Sequence, residues 1–284
     1  MNNKLYKDVQ PMVYPLSLSS SIRRGPKSLP VQDVVGFPVS TLSFEQQITA
    51  VLAWAQSRQS RVVCVSNVHM LMEGHWNSDF SKVLLEADLL TPDGMPLVWM
   101  TRLLQGCHQD RAAGLELMQA LCKSAEASGV SIFFFGSTLE MLSKIRAQLA
   151  KEFPNLKIAG MVSPPFRPLS PEEDEKIVRE INQSSAGLVF VSLGCPKQER
   201  WMGKHRGEVK AVMVGLGGAF SVYAGAKRWA PTWVRENGLE WLYRLVQEPG
   251  RLWKRYASTI PPFVWLAFKQ VMKARLGSPS NHST

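Results

Sequence analysis

Two hydrophobic periods alternate along this chain. Short, almost unbroken apolar runs, Arg61-Val62-Val63-Cys64-Val65, Ile132-Phe133-Phe134-Phe135, Leu188-Val189-Phe190-Val191 and Val212-Met213-Val214, have the pattern of strands buried on both faces. The segments between them carry apolar residues at helical spacing. Each run stops at small or polar residues: Ser66-Asn67, Gly136-Ser137-Thr138, Gly194-Cys195-Pro196 and Gly215-Leu216-Gly217-Gly218. Loops of that kind at strand ends are where open α/β sheets bind ligands, and together they read as a nucleotide-sized pocket.

Residues 31–39 read as a short strand or hairpin. Ser43 and Gln46 fit a capping box that opens a helix running to about Ser57. The strand over 61–65 leads through Asn67 into helical sequence up to Leu85, with a break near Gly74. Leu89-Leu90-Thr91 is a further short strand, Pro92-Asp93-Gly94 a turn, and Pro96 the start of a helix through Leu104. From Leu115 helices over 115–128, 139–153, 171–184 and 198–205 alternate with strands over 130–135, 157–161, 187–192 and 210–214. That alternation predicts an α/β fold, a Rossmann-like, mostly parallel sheet with helices on both faces and right-handed crossovers.

Three regions differ in texture. Residues 1–30 are a polar arm without the continuous apolar segment of an export signal. Residues 31–234 are the α/β core, with a change to regular alternation after residue 114. Residues 235–284 are a basic, aromatic, helical appendage in which Arg235, Arg244, Arg251, Lys254, Arg255 and Lys269 interleave with Trp241, Trp253, Trp265 and Phe268. Rings at headgroup level with cations reaching lipid phosphates are what an in-plane membrane helix requires. The same spacing also suits a helical cap whose aromatics fill the core, or a face buried against a second copy in a homo-oligomer. The most apolar part, 260–268, is interrupted by Pro261 and Pro262 and is far shorter than the roughly 20 residues of a spanning helix.

Composition narrows the function. A chain of 284 residues that is 45% hydrophobic supports a sizeable core, and a net charge of +10 favours a polyanionic partner. Charge alone does not choose between nucleic acid, anionic lipid and a phosphorylated substrate, but no nucleic-acid-binding module is present. Cys64, Cys107, Cys122 and Cys195 lack zinc-cluster spacing, and their scatter suits a reducing compartment better than a disulfide framework. His69, His75, His108, His205 and His282 show no metal-ligand spacing. The motifs of P-loop NTPases, serine hydrolases and zinc peptidases are missing, and Gly215-Leu216-Gly217-Gly218 only half matches a dinucleotide-binding fingerprint.

What remains is a set of polar residues at strand exits. Asp93 is either a turn-forming Asp before glycine or a carboxylate with chemistry to do, and Asn67 is either a helix cap or a ligand-orienting amide. Arg111 is a surface arginine beside Asp110 or a fork for a diphosphate. Gln198 and Glu199 follow the loop at Gly194 and Pro196.

Six ordered motifs carry a resemblance: Thr91-Pro92-Asp93-Gly94, Arg111-Ala112-Ala113-Gly114, Phe135-Gly136-Ser137, Gly194-Cys195-Pro196-Lys197-Gln198-Glu199, Gly215-Leu216-Gly217-Gly218-Ala219-Phe220 and Gly238-Leu239-Glu240-Trp241-Leu242-Tyr243-Arg244-Leu245. Over about residues 31–257 the chain resembles the WecG/TagA/CpsF glycosyltransferases, glycosyltransferase family 26. The resemblance implies an inverting transfer, without an essential metal or other cofactor, from a UDP-sugar to a polyprenyl-diphosphate-linked saccharide. The setting it implies is cell-surface polysaccharide synthesis on the cytoplasmic face of the bacterial membrane, with an anionic membrane surface as partner. It makes 31–114 the acceptor and base lobe and 115–234 the UDP-sugar lobe.

By match to the family motifs, Asp93 would be the general base, with Asn67 and Arg111 beside it. Gly136, Ser137, Gly194, Pro196, Gln198, Glu199, Gly217 and Gly218 would bind the donor, whose uracil could stack on Phe166; unaided, that ring reads as a core residue. Arg244, Arg251 or Arg255 of a membrane-docked tail would offset the charge of the leaving UDP. The chain departs from the family at Val65, where a threonine is common, and at Glu116, where an aspartate is common. A non-catalytic nucleotide-binding or scaffold protein on the same fold is the competing reading. The sequence does not choose among N-acetylmannosamine, its uronic acid and glucose as the sugar.

Overall fold

The computed structural model describes residues 29–106 and 108–276; most of the N-terminal arm, Cys107 and the last residues of the appendage lie outside them. A hairpin of β1 (Val31–Val34) and β2 (Phe37–Ser40) precedes α1 (Phe44–Gln56), β3 (Arg61–Ser66), α2 (Val68–Trp76), α3 (Ser78–Glu86), β4 (Leu89–Pro92), α4 (Met95–Gln105) and α5 (Gly114–Ser128). Then come β5 (Ile132–Gly136), α6 (Leu139–Glu152), β6 (Ile158–Val162), α7 (Pro171–Gln183), β7 (Leu188–Ser192), α8 (Lys197–Lys204), β8 (Val212–Gly215) and α9 (Ala219–Tyr223). Three helices close the described chain: α10 (Thr232–Glu236), α11 (Glu240–Gln247) and α12 (Pro249–Leu276).

The six strands β3 to β8 form one parallel sheet in the order β4-β3-β8-β7-β5-β6. Alternate residues feed two cores, as a strand buried on both faces requires. Val62, Cys64, Phe133, Phe135, Val189, Val191 and Met213 face α2, α3, α7, α8 and α12, whereas Val63, Val65, Ile132, Phe134, Leu188, Phe190, Val212 and Val214 face α1, α5, α6 and α9. Crossovers that step toward β4 pack on the first face and those that step toward β6 on the second, except that α4, which opens the β4-to-β5 crossover, packs with α12 on the first. Crossovers of a single hand produce that division. One sheet therefore joins β3 and β4 to the strands of the later alternation.

Caps explain several boundaries. Ser43 and Gln46 form the capping box of α1, and Ser170 with Glu173 does the same for α7. The expected interruption at Gly74 falls instead at Asn77, whose side chain accepts the Phe80 N–H at 2.9 Å and starts α3. Gly74 stays helical because it is a contact point: a Cβ there would lie 2.7 Å from Phe37 Cζ and 2.8 Å from Leu84 Cδ1.

Pro261 and Pro262 lie inside a continuous 28-residue α12 and do not end it. Each removes one helical N–H, a loss offset where Leu252, Thr259, Phe263 and Ala267 bury one face of α12 against α2 and α4. The other face leaves Trp253, Trp265 and Phe268 exposed. Among the described residues no helix is long and apolar enough to cross a membrane.

Candidate active site

Because every strand of the large sheet runs the same way, the loops after all six open on one edge. α2 and α8 leave β3 and β7 toward one face and α9 leaves β8 toward the other, which opens a crevice beside β8. Asn67 follows β3, Asp93 follows β4, Gly217 and Gly218 follow β8, Gly194 follows β7 and Ser137 follows β5. At about 4.8 Å per strand, Asp93 and Gly217 stand roughly 10 Å apart along this edge.

Asp93 is fixed from both sides. Its N–H donates to Ser66 O at 2.9 Å, and its Oδ1 accepts the Gly114 N–H, in the first turn of α5, at 3.3 Å. The neighbouring Pro92 O accepts from Ala112 N at 2.8 Å, so the strand exit and the Arg111–Gly114 segment hold each other. Asn67 caps α2 by accepting from Met70 N at 3.2 Å, and Gly94 packs against it. Asn67 therefore caps a helix, and its loop adjoins Asp93.

An ionic network surrounds the carboxylate. Arg111 donates to Glu240 Oε2 at 2.8 Å and to Glu116 Oε1 at 3.4 Å. Arg235 reaches Glu116 at 2.5 Å, and Arg244 pairs with Glu240. Burial pushes the Asp93 carboxyl up to about 6, the negative charge of Glu240 adds to this, and Arg244, Arg111 and the Gly114 N–H hold it back. Glu240 moves the other way: Arg244 and Arg111 outweigh its own burial and keep it ionised. A carboxylate titrating near neutrality at a strand exit is suited to accept a proton. Glu240, Glu116 and Arg235 were not among the site residues expected from the sequence. Glu240 lies within the Gly238–Leu245 motif, and its position one helical turn before Arg244 was the available signal.

The glycine loops are tied to one another. Ser192 Oγ donates to Gly217 O at 2.9 Å, Ser137 N to Ser192 O at 3.1 Å and Ser163 Oγ to Ser137 O at 2.7 Å. Gly136 has φ +114 and no room for a side chain, since a Cβ would lie 2.3 Å from Ser192 O. The Cys195-Pro196 bond is cis and Gly194 has φ +82. Gly218 shares one depression with Lys227, Arg244 and Arg251, which brings two of the tail arginines to the β8 loop. Arg255 takes another position, beside Cys195, Glu199 and His69 under α12. Its charge and the burial of the imidazole lower His69 to about 4, burial being the larger cause.

Two expected donor contacts sit differently from the others. Gln198 keeps only 4% of its surface exposed and Glu199 none, so the pair supports the loop from beneath instead of lining open space. Their polar side chains suggested solvent or ligand; local folding turns them inward. Phe166 is 87% exposed on the loop after edge strand β6, not a core ring, and β6 is five strand spacings, about 24 Å, from β4.

The model of the glycosyl transferase WecG/TagA/CpsF family matches residues 32–277. A protein of Bacillus subtilis (strain 168) named N-acetylglucosaminyldiphosphoundecaprenol N-acetyl-beta-D-mannosaminyltransferase is 31% identical over 210 residues, 74% of this chain and 79% of that protein. Proteins of the same name from Bacillus spizizenii (29% over 239 residues, 82% and 90%) and Staphylococcus aureus strain MW2 (26% over 251 residues, 86% and 94%) are also similar.

Proposed function

Since the chain belongs to the WecG/TagA/CpsF glycosyltransferase family, we propose that it moves N-acetylmannosamine from UDP to N-acetylglucosamine carried on a polyprenyl diphosphate, inverting the anomeric carbon. The observation that carries this reading is the grouping of Asp93, Arg111 and Arg244 on the sheet edge that also bears the loops at Gly194 and Gly217. The donor and acceptor sugars are those in the names of the similar proteins.

In this reaction Asp93 accepts the proton of the acceptor hydroxyl as its oxygen attacks the anomeric carbon from the side opposite UDP. A double displacement would need a second carboxylate as nucleophile. Glu116 and Glu240 are each held by two arginines and Glu199 is fully buried, which supports a single displacement with inversion. Charge growing on UDP meets Arg244 and Arg251 beside Gly218, so fixed guanidinium groups take the part a metal ion plays elsewhere. The lobe up to residue 114 then handles the acceptor and base, and the later loops the nucleotide.

The acceptor's lipid places the reaction at a membrane surface. Exposed Trp233, Trp241, Trp253, Trp265 and Phe268, with Lys254 over Trp253 and Lys269 over Trp265, support peripheral docking on the anionic cytoplasmic face. The test is to incubate the protein with a panel of UDP-sugars and a short-chain polyprenyl-diphosphate N-acetylglucosamine. A product heavier by one N-acetylhexosamine, from UDP-N-acetylmannosamine above all, is expected. UDP binding without transfer from any donor would replace this reading with that of a nucleotide-binding protein.

A further inference from the structure

Beneath the two glycine loops lies a chain of polar groups that no open surface explains. Gln198 Oε1 accepts the Gly194 N–H at 3.2 Å, and the same amide packs against the β8 end, where a Cβ on Gly217 would be 3.2 Å from Oε1 and one on Gly215 3.0 Å from Nε2. Gln198 therefore touches the loops after β7 and β8 at once. A primary amide can turn over, exchanging its oxygen and nitrogen, and the reversed form would set N–H against the Gly194 N–H. What selects the observed form is Glu199, whose Oε1 accepts from Gln198 Nε2 at 2.7 Å.

Glu199 is an unusual residue to find there. It is wholly buried, its second oxygen Oε2 makes no hydrogen bond by geometry, and the Cys195 side chain lies against the same carboxyl group. Leaving a carboxylate in such a place is costly unless it serves something. Its charged neighbour is Arg255 of α12, whose Nε is also buried without a partner. Buried there, the group can act on the loops only through what it touches, the Gln198 amide above all and the Cys195 side chain beside it.

We propose that Glu199 is a positioning residue: it locks the Gln198 amide in the one orientation that holds the loops at Gly194 and Gly217 in shape for the donor nucleotide. The proposal rests on the functional reading above for the identity of that ligand, but not for the loop geometry. It moves Glu199 from direct donor contact to control of the residues above it.

The experiment compares Glu199→Ala, Glu199→Gln, Gln198→Ala and the double alanine variant. A glutamine at 199 keeps an acceptor oxygen for Gln198, whereas alanine does not. Glu199→Ala is expected to raise both the UDP Kd and the donor KM about tenfold, with kcat within about threefold of the parent. Glu199→Gln recovers most of that affinity, and the double variant loses no more than Gln198→Ala alone, because the two act as one unit. Hydrogen exchange in the ligand-free protein gives a reading independent of function. Backbone amides over 193–198 and 215–218 should exchange faster in Glu199→Ala and Gln198→Ala, with β5 unchanged, and at the parent rate in Glu199→Gln. If Glu199→Ala does not fold, the Gln198→Ala and Glu199→Gln pair decides by the same exchange test. Unchanged loop exchange in Gln198→Ala, or equal loss of affinity in Glu199→Ala and Glu199→Gln, overturns the proposal. Failure of the parent protein to bind UDP would sink the functional reading and leave the exchange result to judge the positioning role.

Discussion

Arg111 and Glu240, 129 residues apart in sequence, meet through a 2.8 Å hydrogen bond at the edge of the site. Glu240 is the first residue of α11, and it also holds Arg244. The pair fastens the helical appendage to the segment that carries Asp93's hydrogen-bond donor, Gly114. The charge of Asp93 and the packing of the tail are therefore one problem.

Glu240→Gln tests that coupling. Removing its negative charge leaves Arg111 and Arg244 to act on Asp93 unopposed, so the Asp93 pKa falls below about 6 and the acid limb of the rate profile moves to lower pH. The measurement is kcat/KM against pH. A limb that stays in place or moves upward would show that Glu240 does not tune Asp93.

Asp93 also makes stability depend on pH. Its folded pKa of about 6 lies above its ordinary 3.8, so the folded state binds the proton more tightly. Its contribution is most favourable at low pH and declines as pH rises from about 4 to about 6. Asp93→Asn removes that cost and should be more stable than the parent at pH 8, by about 1–2 kcal/mol after allowance for solvent contact. Below pH 4 the difference should vanish. Chemical denaturation at both pH values checks this, and equal stability at pH 8 would count against a strained carboxylate.

Gly136 leaves no space for a methyl group. Gly136→Ala drives a Cβ into Ser192 O and requires φ near +114 of an L-residue, so β5 and β7 must part at the site. A loss of about 2–4 kcal/mol is expected, with weakened UDP binding in whatever remains folded. Thermal unfolding and UDP titration read the two effects.

The exposed rings of α12 are expected to carry membrane affinity. Trp253→Ala, Trp265→Ala and Phe268→Ala together should lower binding to anionic vesicles by tenfold or more and leave UDP affinity as it was. Undiminished, salt-insensitive vesicle binding would remove this surface from the account. A change in oligomeric state in place of vesicle binding would assign the rings to a second copy.

Much of the architecture was legible because solid apolar runs such as Ile132-Phe133-Phe134-Phe135 have few other uses than two-sided strands, and because caps such as Ser170 with Glu173 are local chemistry. Strand order was not legible, since β3 pairs with β8 across the whole later alternation. That α12 runs through Pro261 and Pro262 was not legible, because tertiary burial of Phe263 and Ala267 outweighs a local preference against helix. At the site, Asp93 stood out through its motif, while Glu240 and Glu116 did not, for ion pairs between distant segments leave no periodic trace. Gln198 and Glu199 were legible as residues and not as buried ones, because polar side chains are ordinarily outside.

The most direct test of the central claim is the rate of sugar transfer against pH for the parent and Asp93→Asn, with UDP affinity measured alongside. The expected parent profile rises to a plateau through an apparent pKa near 6, and Asp93→Asn loses about 10²–10⁴-fold in kcat with UDP affinity nearly unchanged. Turnover by Asp93→Asn at the parent's rate would show that the proton leaves the acceptor by another route.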